Sequence, residues 1–386
     1  MTPDTTEVEM RVFILLLASL GLFGCEGQRD SGKEPQINVY LDQARQGDPT
    51  GQLKLGILYE QGNGIVQDYK QAMYWYHKAA EQGNADAQFH LGAMIDEGKG
   101  VFKNRIEAMK WYRKAAEQGH AKSQNNLGTI YKEGQDVPQD YTQSVYWYRK
   151  AAEQGYAPGQ NNLGSMYFEG TGVPQFDTQA FYWFRKAAEQ GDAISQNDLG
   201  FMYHKGKGVS ANDREAVYWY RKSAEQGNRE GQNNLGFMYE KGKGVPVNDK
   251  EAVYWYRKSA EQGSGAGQTN LGFMYYLGRG APQDYSKAKY WFSKAAEQEE
   301  ATAQNNLGVM YYLGKGVPQD YTQALHWYRK GAEQGYAGAQ INLGVMYEEG
   351  NGVTQDNRQA VHWYRKAAEQ GYETAQRKLD KMGAIP

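Results

Sequence analysis

Apolar positions return along this chain on a fixed interval. Trp occurs at positions 75, 111, 147, 183, 219, 255, 291, 327 and 363, each 36 residues from the last and without one insertion. A Leu-Gly pair keeps step at Leu55, Leu91, Leu127, Leu163, Leu199, Leu235, Leu271, Leu307 and Leu343. A length of 386 residues would otherwise suggest two or three globular domains. Strict periodicity at this interval predicts stacked repeats instead, nine of them over residues 49–372.

Within one unit, residues 121–156, the pattern predicts two helices. In the first, Ser123, Leu127, Ile130 and Tyr131 recur at helical spacing, and Gly134 stands where a left-handed end requires glycine. In the second, Asp140 is the N-cap, Ser144, Trp147, Tyr148, Ala151 and Ala152 form one stripe, and Gly155 ends it. The capping register holds Asp or Asn in eight units; Phe176 is the exception, with Asp177 expected to cap one residue later. Gly128 and its equivalents lie inside the first helix, where glycine costs about 1 kcal/mol relative to alanine. Accepting that cost nine times predicts a ring of the second helix, Trp or Tyr, lying too close for a β-carbon. Neither helix buries its stripe alone, so stability must come from packing within and between units.

The pattern frays at both ends. Residues 36–48 keep the second-helix register with Val39 in place of Trp and predict an N-terminal capping helix. Residues 373–386 keep the first-helix register through Gln376 and Leu379 and predict a C-terminal cap, with Arg377, Lys378 and Lys381 on a solvated face. Glu299 replaces the glycine that ends every other second helix, which predicts a reshaped turn there. Asp136 replaces a loop glycine, in a conformation Asp tolerates.

Ahead of the repeats, residues 12–23 (VFILLLASLGLF) are too few to span a bilayer and suit a signal-peptide core. The run ends in Leu22-Phe23-Gly24-Cys25, which resembles the bacterial lipobox, where the cysteine is lipidated and becomes the mature amino terminus. Phe23 is larger than the usual residue there, and Asp4, Glu7 and Glu9 depart from a positive leader; a start at Met10 removes all three acids. In this reading residues 1–25 are a signal peptide, Cys25 is the lipidation site, and residues 26–35 form a polar tether. Glu26 after the cysteine resembles the outer-membrane sorting rule. An ordinary secretory signal, a membrane anchor or a plain cytosolic thiol are the alternatives.

The full pattern, A-x-x-x-x-L-G-x-x-Y, then G-x-G-V, then a capping Asp, then A-x-x-W-Y-x-K-A-A-E-Q-G, resembles the Sel-one-like repeat, a branch of the tetratricopeptide-like solenoids. The resemblance covers residues 49–372. It implies an all-α, right-handed superhelical solenoid of nine 36-residue helix-turn-helix repeats with half-repeat caps, first helices lining the concave side. It also implies scaffolding or adaptor work in bacterial envelopes, host contact or protein quality control, and no common catalytic activity. A cysteine-rich branch is linked to β-lactam binding, but its cysteine pairs are absent here.

Two faces remain for function. Opposite the Leu stripe of the first helix, two residues after Leu, stand Phe201, Phe237 and Phe273, three phenylalanines on an otherwise polar face. Beside them runs a row of asparagines, Asn161, Asn162, Asn197, Asn233, Asn234, Asn270, Asn305, Asn306 and Asn342, with Asp198 among them. Asparagine is a poor helix former, so the row needs compensation. Either the amides bind the main chain of a partner segment over a phenylalanine floor, as related solenoids do, or they bond neighbouring parts of the solenoid. The glutamines at Gln52, Gln88, Gln124 and their equivalents sit on the buried edge and are expected to be structural. On the second helix, Tyr146, Tyr182, Tyr218 and Tyr254 with Arg149, Arg185, Arg221 and Arg257 face solvent; Tyr and Arg three apart are expected to stack, as a self-satisfied convex face or a weaker binding ladder.

Composition narrows the chemistry. Lys plus Arg number 43 against 45 Asp plus Glu, a net charge of −2 that offers no general attraction to nucleic acid. Cys25 is the sole cysteine, so no intrachain disulfide forms. His326 and His362 share a register without a carboxylate or thiol to complete a metal site, and the G-K-G and G-R-G strings are repeat turns rather than phosphate loops. The expectation is a non-enzymatic, cofactor-free, lipid-anchored scaffold of the cell envelope, on the periplasmic side of the outer membrane, holding a protein or peptide. A secreted or surface factor engaging host proteins, and a binder of peptidoglycan or another glycan, are the alternatives.

Overall fold

The computed structural model describes residues 34–383, with side chains from Ile37 onward. Among these every regular element is an α-helix, from Glu34–Arg45 through Pro49–Gln61 to Glu373–Lys381, and the chain is an all-α solenoid of paired helices. The described residues divide into two units, one ending at Ser123 and one beginning at Gln124, and the same local rules build each.

Helix boundaries follow from capping. Before Tyr141–Glu153, Asp140 is extended and its carboxylate accepts from the Gln143 amide at 2.9 Å. Asn212 and Asn248 do the same for the second helices of later repeats, each such cap contributing about 1 kcal/mol. Phe176 makes no side-chain cap, and Asp177 is the first helical residue rather than a displaced cap. Its carboxylate instead reaches Lys207 at 3.4 Å. First helices end in left-handed glycines such as Gly170 and Gly206.

Each first-helix glycine faces the residue after Trp. A β-carbon on Gly236 would lie 2.8 Å from Cδ1 of Tyr256, and one on Gly164 the same distance from Cδ1 of Phe184. Of the two registers expected as visitors, the one after Trp is the one that arrives, as Tyr in most repeats and as Phe at 184 and 292. Tyr76, Tyr256 and Tyr364 have no exposed surface, whereas among the tryptophans only Trp111 and Trp147 are buried. Around Tyr148 pack Ala152, Leu163 and Met166, and around Tyr220 pack Ala224, Leu235 and Met238, so each ring's cluster reaches the first helix of the next repeat.

A glutamine rung joins the layers. Gln232 donates to the Ala224 carbonyl behind it at 3.2 Å and accepts from Gln262 ahead of it at 2.8 Å. Gln160 repeats this with Ala152 and Gln190. The buried amides are thereby satisfied, which a helix interface of this kind requires.

Two expected departures turn out differently. The turn at Glu299 is not reshaped: the residue takes φ 65°, and its neighbours keep the bonds found at Gly263, with Glu300 N–H to Ala295 O at 3.2 Å. The turn tolerates the strain rather than rearranging, because both flanking helices are fixed by their own stripes. Asp136 adopts no left-handed conformation.

In the C-terminal helix Leu379 is buried in the Leu register, but Asp380 stands where each repeat has its glycine. Its side chain holds Gln376 at 2.9 Å, so this helix offers no seat for another ring. Lys378, expected in solvent, binds Glu348 at 2.7 Å and ties the cap to the last repeat.

Candidate partner-binding face

The second unit carries the phenylalanine row. Phe201 projects from Ala193–Lys205, Phe237 from Arg229–Lys241 and Phe273 from Gly265–Leu277, consecutive first helices in contact with one another. Phe201 and Phe237 are half-buried, and Phe273 is 40% exposed. Phe201 meets Phe168 edge-on at 6.0 Å, and Phe237 meets His204 at the same distance. A groove of about 240 Å³ opens between the first two, lined by Phe201, Phe237, His204 and Lys205 and by Asn233, Asn234 and Asn270, with Tyr220 at its base. Phe273 stands outside it, beside the exposed Leu277.

The asparagines form a ladder along the solenoid. Asn162 donates to Asn125 at 2.8 Å, Asn234 to Asn197 at 2.8 Å, Asn270 to Asn233 at 2.9 Å and Asn342 to Asn305 at 2.9 Å. Asn305 also reaches Asn306, weakly, at 3.5 Å. Each rung joins one first helix to the next, which compensates asparagine's poor helix propensity. An amide has two donors and an acceptor with two lone pairs, so one rung does not exhaust it. Among the described residues nothing takes up the Nδ2 of Asn233 or the Oδ1 of Asn234 and of Asn270, all three at the groove.

One rung is an acid. Asn161 donates to Ser195 at 2.9 Å and to Asp198 at 3.0 Å, and Asn197 donates to Asp198 at 3.3 Å. Burial pushes the Asp198 carboxyl up to about 6, against the two amide bonds that favour its charge.

The pattern of apolar residues gave no prominence to His204, Lys205 or Lys243. The missed signal was the register five, six and eight residues after Leu, which varies in charge while the Leu and Trp registers do not. His204 binds Asp213 at 2.5 Å, and Lys243 lies 5.9 Å from the Phe237 ring centre.

On the second helices Tyr146, Tyr182, Tyr218 and Tyr254 are each about half exposed, at 48, 48, 49 and 47%. The expected stacking of Tyr on Arg three residues on does not occur. Arg149, Arg221 and Arg257 turn to the next first helix and donate to the phenols of Tyr167, Tyr239 and Tyr275 at 2.8–2.9 Å, while Arg185 binds Glu189 at 2.7 Å. The lysine four on lies over the tyrosine instead, Lys222 over Tyr218 at 4.8 Å and Lys258 over Tyr254 at 4.9 Å. Each tyrosine also sits edge-on to its own Trp, at 4.9–5.0 Å. His326 and His362 do likewise, each 5.1 Å from Trp327 or Trp363. Among the described residues no three His, Cys, Asp or Glu are placed to hold a metal, and no helix is long and apolar enough to cross a membrane. Cys25 lies outside the described residues.

Comparison with known proteins agrees with this geometry. The Sel1 repeat family matches nine times in succession, at residues 49–84, 85–120, 121–156, 157–192, 193–228, 229–264, 265–300, 301–336 and 337–372. The chain is similar to c5321, a protective antigen present in uropathogenic Escherichia coli strains and displaying an SLR fold. The two share 38% identity over 90% of this chain and 82% of that one, with a TM-score of 0.65. It is also similar to a Sel1 repeat protein from Oxalobacter formigenes, at 32% identity over 95% of this chain and 99% of that one, TM-score 0.57. A comparison with curated protein sequences finds no match.

Proposed function

The chain belongs to the Sel1 repeat family, and we propose that it works by binding, holding an extended segment of a partner protein across the first helices of its fifth and sixth repeats. The observation that carries this reading is the groove itself: an apolar floor of Phe201 and Phe237 beside amides that keep hydrogen-bonding capacity after their own ladder is made. Apolar side chains of a partner fill the floor, and its peptide groups pair with Asn233, Asn234 and Asn270. Phe273 extends the apolar surface by one repeat, and the remaining asparagines serve mainly to align the helices. The second-helix row of Tyr and Arg is the weaker candidate, because its rings and cations are engaged by the chain's own side chains.

The setting we propose is the bacterial cell envelope, with Cys25 as a lipid attachment point and the polar residues after it as a tether. The likeness to an Escherichia coli protective antigen supports a place exposed to the outside over one confined to the periplasmic face. In that setting the partner is a host protein rather than another envelope component.

A photo-crosslinking amino acid at position 201 or 237, in cells exposed to host protein extract, tests the face. Crosslinked partner is expected from those positions and not from 218 or 254 on the second helices. Equal yields from both faces, or capture from 218 and 254 alone, would remove the first-helix assignment.

A further inference from the structure

Resting on that binding face, we infer that its occupant is an acidic segment in which carboxylates flank an apolar side chain. The argument is charge register. Six residues after the repeat leucine, the exposed end of each first helix in the second unit carries Glu133, Glu169, Lys205, Lys241, Leu277, Leu313 and Glu349 in turn. The sign changes from acid to base where the phenylalanine floor begins. The loop residue two further on turns from neutral to basic at the same place, from Gln135 and Thr171 to Lys207, Lys243 and Arg279.

The acids around the groove are engaged within the protein. Asp198 accepts from two asparagines, and Asp213 holds His204. Glu240, nearly buried, accepts from Tyr256 at 2.9 Å and pairs with Lys241 at 2.6 Å and Arg279 at 3.1 Å. Asp177 holds Lys207 at 3.4 Å, and Asp249 binds Arg279 at 2.6 Å. Two cations are left over. Lys205 lines the groove and Lys243 borders the Phe237 ring, both exposed, and among the described residues no carboxylate lies within ion-pair distance of either. The groove is therefore apolar at its floor and positive at two of its edges.

Such a site selects by charge more than by area. A carboxylate reaching Lys205 or Lys243 meets an ammonium that no neighbour neutralises, while a cationic segment is repelled. On the preceding repeats Glu169 pairs with Lys132 at 3.6 Å, so the cations that no neighbour neutralises belong to the fifth and sixth repeats, and they set the register of the segment there.

The test uses the full chain and fluorescence anisotropy with three labelled synthetic decapeptides. All carry the same pair of phenylalanines, flanked by glutamates, glutamines or lysines. The glutamate peptide is expected to bind roughly tenfold tighter than the glutamine peptide, and the lysine peptide weakest. Phe201→Ala with Phe237→Ala should abolish binding. Lys205→Glu with Lys243→Glu, both at exposed positions that leave the core intact, should reverse the preference, with helix content by circular dichroism unchanged. If glutamate and glutamine peptides bind alike and both need the phenylalanines, the acidic occupant is wrong and the groove stands. If no peptide binds, or binding ignores the phenylalanine substitutions, both readings fall.

Discussion

Gly236 and Tyr256 are fitted to each other so closely that a β-carbon on the glycine would lie 2.8 Å from Cδ1 and 2.9 Å from Cε1 of the ring. The ring has nowhere to retreat, since it is fully buried and its hydroxyl is held by Glu240 at 2.9 Å. Gly236→Ala would gain about 1 kcal/mol of helix propensity and lose more to overpacking, typically 1–3 kcal/mol. The expected net effect is destabilisation by roughly 1 kcal/mol, read as a lower urea midpoint. A midpoint at or above that of the parent would show that the ring moves and that the glycine is not there for it.

Glu299 is the one residue other than glycine with positive φ among the described residues, at 65°. The left-handed conformation costs an ordinary side chain roughly 1–2 kcal/mol. Glu299→Gly should therefore raise the midpoint by about 1 kcal/mol equivalent, part of the relief being offset by the greater freedom of glycine in the unfolded chain. Unchanged stability would mean that the glutamate makes a compensating contact.

The fold was legible because one pattern was written nine times: the spacing of Leu, Gly and Trp fixed helix pairing, and Asp140 and its equivalents fixed where second helices start. What the pattern did not separate was Tyr from Trp. A stripe near 100° per residue puts both on the buried face, and only the three-dimensional fit shows that Tyr256 enters beside Gly236 while Trp255 stays partly exposed. The asparagine row posed a choice between ladder and binding surface. Asn234 and Asn270 make the ladder and still keep acceptors at the groove, because an amide has more bonding capacity than one rung uses. The positive edges went unread because Lys205 and Lys243 lie at registers that vary between repeats, where periodicity carries no signal.

Cys25 follows a short apolar run and a glycine, the arrangement that supports a lipid anchor. Radiolabelled palmitate should enter the parent protein and not Cys25→Ser, and the variant should move from the membrane fraction to the soluble or secreted one. Incorporation that survives the substitution would end the anchor proposal, leaving the binding face untouched.

Asp198 makes the asparagine ladder sensitive to pH. Its folded carboxyl titrates at about 6 against an ordinary value of 3.8, so folding favours the protonated form. Below 3.8 both states are protonated and the group has no effect; between 3.8 and 6 a penalty grows, and above 6 it is complete. Its size is on the order of 3 kcal/mol at neutral pH. Glu240 and Glu348 run the other way. Burial opposes their charge, but bonds from Lys241 and Tyr256 to the first, and from Lys378 and Tyr364 to the second, hold both carboxyls below the ordinary value of 4.5. The stability they contribute is present above that value and is lost only as the pH falls through their lower folded values. Asp198→Asn restores an amide at this rung, as in Asn234, and removes the titration. The variant should exceed the parent by roughly 3 kcal/mol at pH 7.5, with the advantage shrinking by about 1 kcal/mol at pH 5. Urea midpoints of both proteins at the two pH values decide the matter; a difference that does not change with pH would mean that Asp198 is charged in the folded protein throughout.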